Sequence, residues 1–401
     1  MKILLIHNAY QQRGGEDAVV TAEARLLEER GHDVIFYLRH NDELRNRGPF
    51  GVISAGIETI WAKDSYRELK ELLLQEKPEV AHFHNTVPLI SPAAYYACSE
   101  AGVPVVQTLH NYRLLCPGGQ FLRNGQVCEA CLGRTVSWPG VAHACYRDSR
   151  PATAAVSAML TVHRILGTWQ RKVDVYVALT EFARNKFIQG GLPAERIVVK
   201  PNSVDLDCGE RTAGSEYALF IGRHSKEKGL RILIEAWRRW RERIPLRIVG
   251  DGPLRREIEQ EAERHGMACI SFLGQLPPDE TREQMRGARF LLFPSIWYEG
   301  FPLTVAEAFA CGVPVVCSRL GPLEEIVEDG RTGLHFHAGD PEDLAAKAGW
   351  AWTHPAEMEE MGRAARREYE SKYTPERNYE ALLQIYEQAA SCVKCAVPQQ
   401  A

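Results

Sequence analysis

Short apolar runs recur down this chain, each ending in a glycine, proline or polar turn and each followed by a stretch of helical spacing. That alternation limits what the chain can fold into. Apolar runs of strand length alternating with helices predict parallel sheets whose two faces are both covered by helices. In the first half, strands are read at residues 3–7, 34–38, 80–84, 103–108 and 173–178, with helices at 16–30, 65–75, 92–101 and 180–189. The pattern restarts with strands at 217–221, 246–249, 270–273, 290–293 and 313–317, and helices at 230–241, 253–265, 303–310 and 343–352. Between the halves, Pro201-Asn202-Ser203-Val204-Asp205 leads into a polar stretch, 207–215, the best domain boundary. The expected organisation is an N-terminal domain over 1–205, a C-terminal domain over 206–374, and a last helix over 375–390 opened by Thr374-Pro375, with a frayed tail from Ser391.

The 401 residues suit two domains, and 45% hydrophobic with 25% charged residues is an ordinary globular composition. A net charge of -4 excludes a general nucleic-acid binder. No apolar run approaches the ~20 residues of a membrane span. The run 3–6 follows a single Lys and is a strand, not a signal peptide. The expected compartment is therefore the cytoplasm, where the eleven cysteines stay reduced and form no disulfide framework.

Ligands of open parallel sheets bind beyond the carboxyl ends of the strands, so the turns there are the places to look. The strand at 217–221 is followed by Gly222-Arg223-His224-Ser225-Lys226-Glu227-Lys228-Gly229, and that at 246–249 by Gly250-Asp251-Gly252-Pro253. The strand at 290–293 is followed by Ser295-Ile296-Trp297-Tyr298-Glu299-Gly300-Phe301-Pro302-Leu303 and then by Glu307 on the next helix. A helix start offers unpaired N–H groups and a partial positive charge to phosphate. Arg223 and Lys228 add two cations where a diphosphate could lie, and Gly222 and Gly250 permit close backbone approach. Carboxylates such as Glu299 and Glu307 accept hydrogen bonds from paired hydroxyls and suit a sugar and a ribose. Taken alone, each motif also reads as a solvated helix start or surface loop.

Together with Gly14-Gly15-Glu16, His110 and Pro201-Asn202-x-Val204-Asp205, these motifs make the chain resemble family 4 of the retaining glycosyltransferases. The resemblance runs over nearly the whole chain. It implies the GT-B architecture: α/β, two Rossmann-like domains of doubly wound parallel sheet facing a central cleft, and a C-terminal helix that crosses back to the N-terminal domain. It implies transfer of a hexose-type sugar from a nucleotide-diphosphate donor of UDP or GDP type, by metal-independent front-face displacement, in polysaccharide or glycoconjugate synthesis. Carried onto this sequence, Arg223 and Lys228 would stabilise the departing diphosphate, Glu307 would hold the ribose and Glu299 the transferred sugar. The backbone of Gly300, Phe301, Pro302 and Leu303, with Gly14 and Gly15, would contact phosphate or sugar, and His110 would face the sugar. Relatives commonly carry Asp after this histidine; here Asn111 follows.

Two further features lie outside the donor motifs. Cys116, Cys128, Cys131 and Cys145, in the loop 113–149, form a candidate structural zinc set, with His143 as an alternative fourth ligand; small buried hydrophobes are the competing reading. The resemblance implies that no cofactor is required for catalysis. The stretch 152–172 reads as a helix with an apolar stripe for the core, or with a basic and aromatic end, Trp169 to Lys172, for peripheral contact with a membrane surface. A lipid-linked sugar acceptor would place the protein at the inner face of the membrane; a soluble sugar acceptor is equally allowed. The rival functions are a nucleotide-sugar epimerase or phosphorylase of the same fold, and a non-catalytic nucleotide-sugar-binding protein. A dinucleotide dehydrogenase is a poorer rival still, because no Gly-x-Gly-x-x-Gly opens the first helix.

Overall fold

The computed structural model describes residues 1–11, 14–44, 49–206, 216–239 and 244–396, so the stretch 207–215 read as a domain boundary lies outside the described residues. The chain forms two compact units. One holds Met1–Phe121, Glu129–Asn202 and the segment from Pro375; the other holds Leu122–Cys128 and Ser203–Thr374.

The first half of the chain supplies β1 (Lys2–Ala9), β2 (Asp33–His40), β3 (Val80–Phe83), β4 (Val105–Leu109), a short antiparallel ribbon of β5 (Leu122–Arg123) and β6 (Gln126–Val127), then β7 (Val175–Ala178) and β8 (Ile197–Val199). Apart from the ribbon these form one parallel sheet in the order β2-β1-β3-β4-β7-β8. Strand order reverses between β1 and β3, which makes the ends of those strands the natural ligand crevice of the first unit. Leu382, Ile385, Tyr386 and Ala389 of the helix Pro375–Ala396 pack into a core with Ile3, Val80, Val106 and Val175. The last helix therefore belongs to the first unit, and it runs past residue 390 to Ala396, into the tail read as frayed, whose last residues lie outside the described ones.

The second unit carries β9 (Ala218–Ile221), β10 (Leu246–Val249), β11 (Ile270–Gly274), β12 (Phe290–Phe293), β13 (Val315–Arg319) and β14 (Gly333–His337). They form a parallel sheet in the order β11-β10-β9-β12-β13-β14, the Rossmann sequence, with its switch point between β9 and β12. Apolar residues cover both faces: Phe309, Ala310 and Tyr369 lie in one core, and Leu233, Trp237 and Leu344 in the other.

Three readings are corrected. The stretch 152–172 is not one helix: Arg150–Ile165 and Thr168–Arg171 are separated at Gly167, which sits at φ 65° in the left-handed region. Trp169 is 2% exposed and packs inward, so it offers no aromatic anchor to a membrane. The loop 113–149 is partly ordered by the ribbon and by a short helix, Trp138–Ala142. Helices at Pro49–Ile60, Pro278–Arg286 and Pro355–Lys372 went unread. In Pro278–Arg286 only Met285 is buried, so no apolar period marks it. No helix among the described residues is long and apolar enough to cross a membrane.

Candidate functional site

In the second unit, the loops after β9 and β12 meet at the switch point. Gly229 holds φ 72°, and a Cβ there would lie 1.8 Å from the Pro294 carbonyl oxygen, so the two loops touch because this residue has no side chain. Ile296 N–H donates to the Glu227 carbonyl at 2.9 Å and ties them again. The turn after β10 joins through Gly250, at φ 126°, whose Cβ would lie 2.0 Å from the Gly222 carbonyl oxygen. His224 N–H donates to the Asp251 carbonyl at 2.9 Å, and Gly222 N–H to the Val249 carbonyl at 3.1 Å. Three glycine-bearing turns thus form one rigid floor.

On that floor the charged residues divide by role. Lys228 Nζ lies 2.8 Å from Glu299 Oε1, which also accepts from Trp297 Nε1 at 2.8 Å and from Ser295 Oγ. Glu299 is buried, not at an open loop mouth, and its Oε1 is held by three donors. Arg223 is exposed and has no partner among the described residues, so its guanidinium remains available to an anion. The helix Leu303–Ala310 begins beyond Glu299, with Val305 N–H bonded to the Pro302 carbonyl at 2.9 Å. Among the described residues, the amides of Phe301, Leu303 and Thr304 find no protein acceptor. Glu307, half-buried on this helix, has no internal hydrogen-bond partner among the described residues, and burial pushes its carboxyl above the usual range. Open amides, a free cation and an unpartnered carboxylate make a surface complementary to a phosphate carrying a hydroxylated group.

The strand ends of the first unit gather a different set. Gly14 caps the helix Gly15–Glu29, but its amide donates to Asp17 Oδ2 at 2.7 Å. Asp17 Oδ1 accepts from His7 Nε2 at 2.8 Å. Burial opposes ionisation of Asp17, but the hydrogen bonds from His7 and Gly14 outweigh it and hold its carboxyl below the usual range. With Glu16 and Asp17 in its first turn and the Gly14 amide already given to Asp17, this helix start favours the hydroxyls of a sugar over a phosphate, the two contacts expected of Gly14 and Gly15. Glu16 accepts from Tyr10 OH at 2.9 Å and from Asn111 Nδ2 at 2.7 Å. An Asp in place of Asn111 could not donate there and would set two carboxylates together.

His110, just beyond β4, is half-buried, and its Nε2 lies 2.9 Å from His84 Nδ1. Behind His84, Glu23 and Lys200 form a fully buried ion pair at 2.7 Å. Glu23 and Lys200 were missed from the sequence. The signal was there for Glu23: it interrupts the buried face of its helix among Val19, Val20, Ala24 and Leu27. His82 donates or accepts at both ring nitrogens, to Tyr386 OH at 2.9 Å and Thr108 Oγ1 at 2.7 Å, and burial pushes it down to about 4.

Among the described residues the metal-competent cluster is Glu23, His82 and His84, and none of the four cysteines belongs to such a group. The Cys131 thiol faces the Ser137 carbonyl at 4.0 Å, and Cys116 and Cys131 are both buried.

Residues 13–208 match the family described as Glycosyltransferase Family 4, and residues 209–368 match Glycosyl transferases group 1. The chain belongs to the family 4 and group 1 glycosyltransferases. Among curated relatives of this chain are the D-rhamnosyltransferase WbpZ of Pseudomonas aeruginosa, 30% identical over 44% of this chain and 46% of that one, and the O-antigen chain mannosyltransferase C of Escherichia coli, 28% identical over 44% and 47%. The chain spans about half the length of these relatives. Among solved structures, Anabaena HepE in complex with UDP and glucose superposes with a TM-score of 0.68 at 18% identity, covering 98% of this chain and 100% of that one, which fixes the GT-B fold.

Proposed function

We propose that this glycosyltransferase moves a hexose-type sugar from a nucleotide-diphosphate donor to a hydroxyl acceptor, with retention, in polysaccharide or glycoconjugate synthesis. The observation that carries the reading is the switch point of the second sheet, where unpartnered Arg223 follows β9 while the open amides before Val305 and unpartnered Glu307 follow the neighbouring strand β12. The diphosphate would lie on those amides, with Arg223 neutralising the charge that develops as the sugar leaves. Lys228 would act from its pair with Glu299, moving toward the leaving group or holding Glu299 in place for the sugar hydroxyls. Glu307 would accept the ribose hydroxyls. A fixed cation takes the part that a divalent metal plays elsewhere, so no metal is needed. His110 and the hydroxyl-favouring turn at Gly14 would serve the sugar and its acceptor. A donor of UDP or GDP type agrees with the UDP bound by HepE, and a polysaccharide acceptor with the names of the curated relatives. A lipid-linked acceptor would bring the protein to a membrane surface.

The test is a thermal-stability panel of UDP-, GDP-, ADP- and CMP-sugars without added metal, followed by NMR of the product's anomeric configuration. A ligand that binds only the folded protein at 100 times its Kd adds about 2.7 kcal/mol. One nucleotide family should raise Tm and yield a product with retained configuration. No shift from any donor would sink the reading, and an inverted product would sink its mechanism.

A further inference from the structure

Glu23, His84 and His110 form a file running from the core of the first unit to its surface. Glu23 Oε1 is taken by Lys200, while Oε2 is buried, has no hydrogen-bond partner and lies 3.7 Å from His84 Nε2. His84 Nε2 is likewise buried with no other partner. An ionised carboxylate can only accept, so a bare Nε2 would set two lone pairs against each other, and a proton on Nε2 turns the contact attractive. Burial keeps His84 well below its ordinary range and lowers His110 too, so each ring carries one proton at neutral pH. With that proton on His84 Nε2, its Nδ1 must accept, and the partner at 2.9 Å, His110 Nε2, must donate. The outward nitrogen of His110 is then a bare Nδ1.

We infer that Glu23 and His84 are positioning residues that hold His110 in its Nε2–H form, so that His110 meets its ligand as a hydrogen-bond acceptor. That selects a hydroxyl donor, such as a sugar O–H, over a phosphate or carbonyl oxygen. The same atoms invite another reading, since Glu23, His82 and His84 stand close enough to hold a metal ion. Two observations oppose it. Both ring nitrogens of His82 are already engaged, and the Lys200 ammonium, 2.7 Å from Glu23, has already neutralised the one negative charge. A dication there would face a fixed buried cation. The inference rests on His110 serving the sugar site, but its test does not depend on activity.

The experiment is 15N–1H correlation NMR of the full chain with 15N-labelled histidine near neutral pH, assigned with His110→Gln and His84→Gln. The expected result is a His110 protonated at Nε2 and bare at Nδ1. In Glu23→Gln, whose amide can donate as well as accept, a second His110 tautomer should appear. Should Lys200 without its partner unfold that variant, Glu23→Gln/Lys200→Met removes both charges and should show the same mixture. A wild-type His110 protonated at Nδ1, a tautomer unchanged in these variants, or displacement of the His82 and His84 signals by added Zn2+ would each overturn the inference. A protein with the expected tautomer but no transferase activity would overturn the proposed function and leave the positioning of His110 by Glu23 and His84 standing.

Discussion

Glu307 places a half-buried carboxylate where the protein itself supplies no donor, and that has a consequence for the empty protein. Its folded-state pKa is raised, so over the window just above the ordinary value of 4.5 the native state holds more protons than the unfolded one. Stability therefore falls as pH rises through that window. Glu307→Gln should raise Tm in the absence of donor at pH 7 and weaken donor-induced stabilisation, both read in one thermal series. The two cations should separate in the same way. Arg223 is exposed and has no hydrogen-bond or ion-pair partner among the described residues, so Arg223→Ala should change stability by less than about 0.5 kcal/mol yet abolish the donor shift. Lys228→Ala strips buried Glu299 of its counter-charge and should also cost roughly 1–3 kcal/mol in urea unfolding. Equal stability losses from both would show that the roles are not divided this way. The sequence marked both cations but not the difference between them, because the Lys228–Glu299 pair joins residues from two loops that only the sheet brings together.

At the scale of elements, most strands were legible because doubly buried strands are near-continuous apolar runs, as in Phe290–Phe293. The helix Pro278–Arg286 was not, because its sequence carries charge on almost every turn and buries one side chain. The loops after β9 and β12 depend on Gly229, where an alanine would need both a left-handed backbone and space that the Pro294 carbonyl occupies. Gly229→Ala should cost at least about 2 kcal/mol by urea denaturation and remove the donor response. An unperturbed midpoint would mean that the loops separate freely and are not the floor of the site.

Across the whole molecule, buried neutral histidines are unevenly shared. His82, His84, His110 and His163 lie in the first unit with pKa values pushed down, first of all by burial, whereas in the second unit His224 is the one described histidine so shifted. For His82, 6.5 unfolded against about 4 folded means that the unfolded chain binds the extra proton between those values. Stability is then full above about pH 6.5 and is lost as pH falls toward 4, by roughly 3 kcal/mol for this group if the shift is complete. The lowered Glu23 acts in the same direction, its contribution being lost below its ordinary range. Hydrogen exchange at pH 5 should show the first unit opening before the second, and equal protection in both would contradict this.

The alternation of apolar runs with helical stretches settled two parallel sheets, because period and run length are local properties. The glycine-bearing turns settled which strand ends face a ligand, because backbone approach is also local. What only the tertiary structure decided is which charges are spent and which are free. Lys228 is paired and Arg223 is not; Gly14 feeds Asp17; Glu23 stands behind His84 and not on the surface. Those outcomes depend on distances between residues far apart in sequence, and a hydrogen bond is made or lost within less than an ångström.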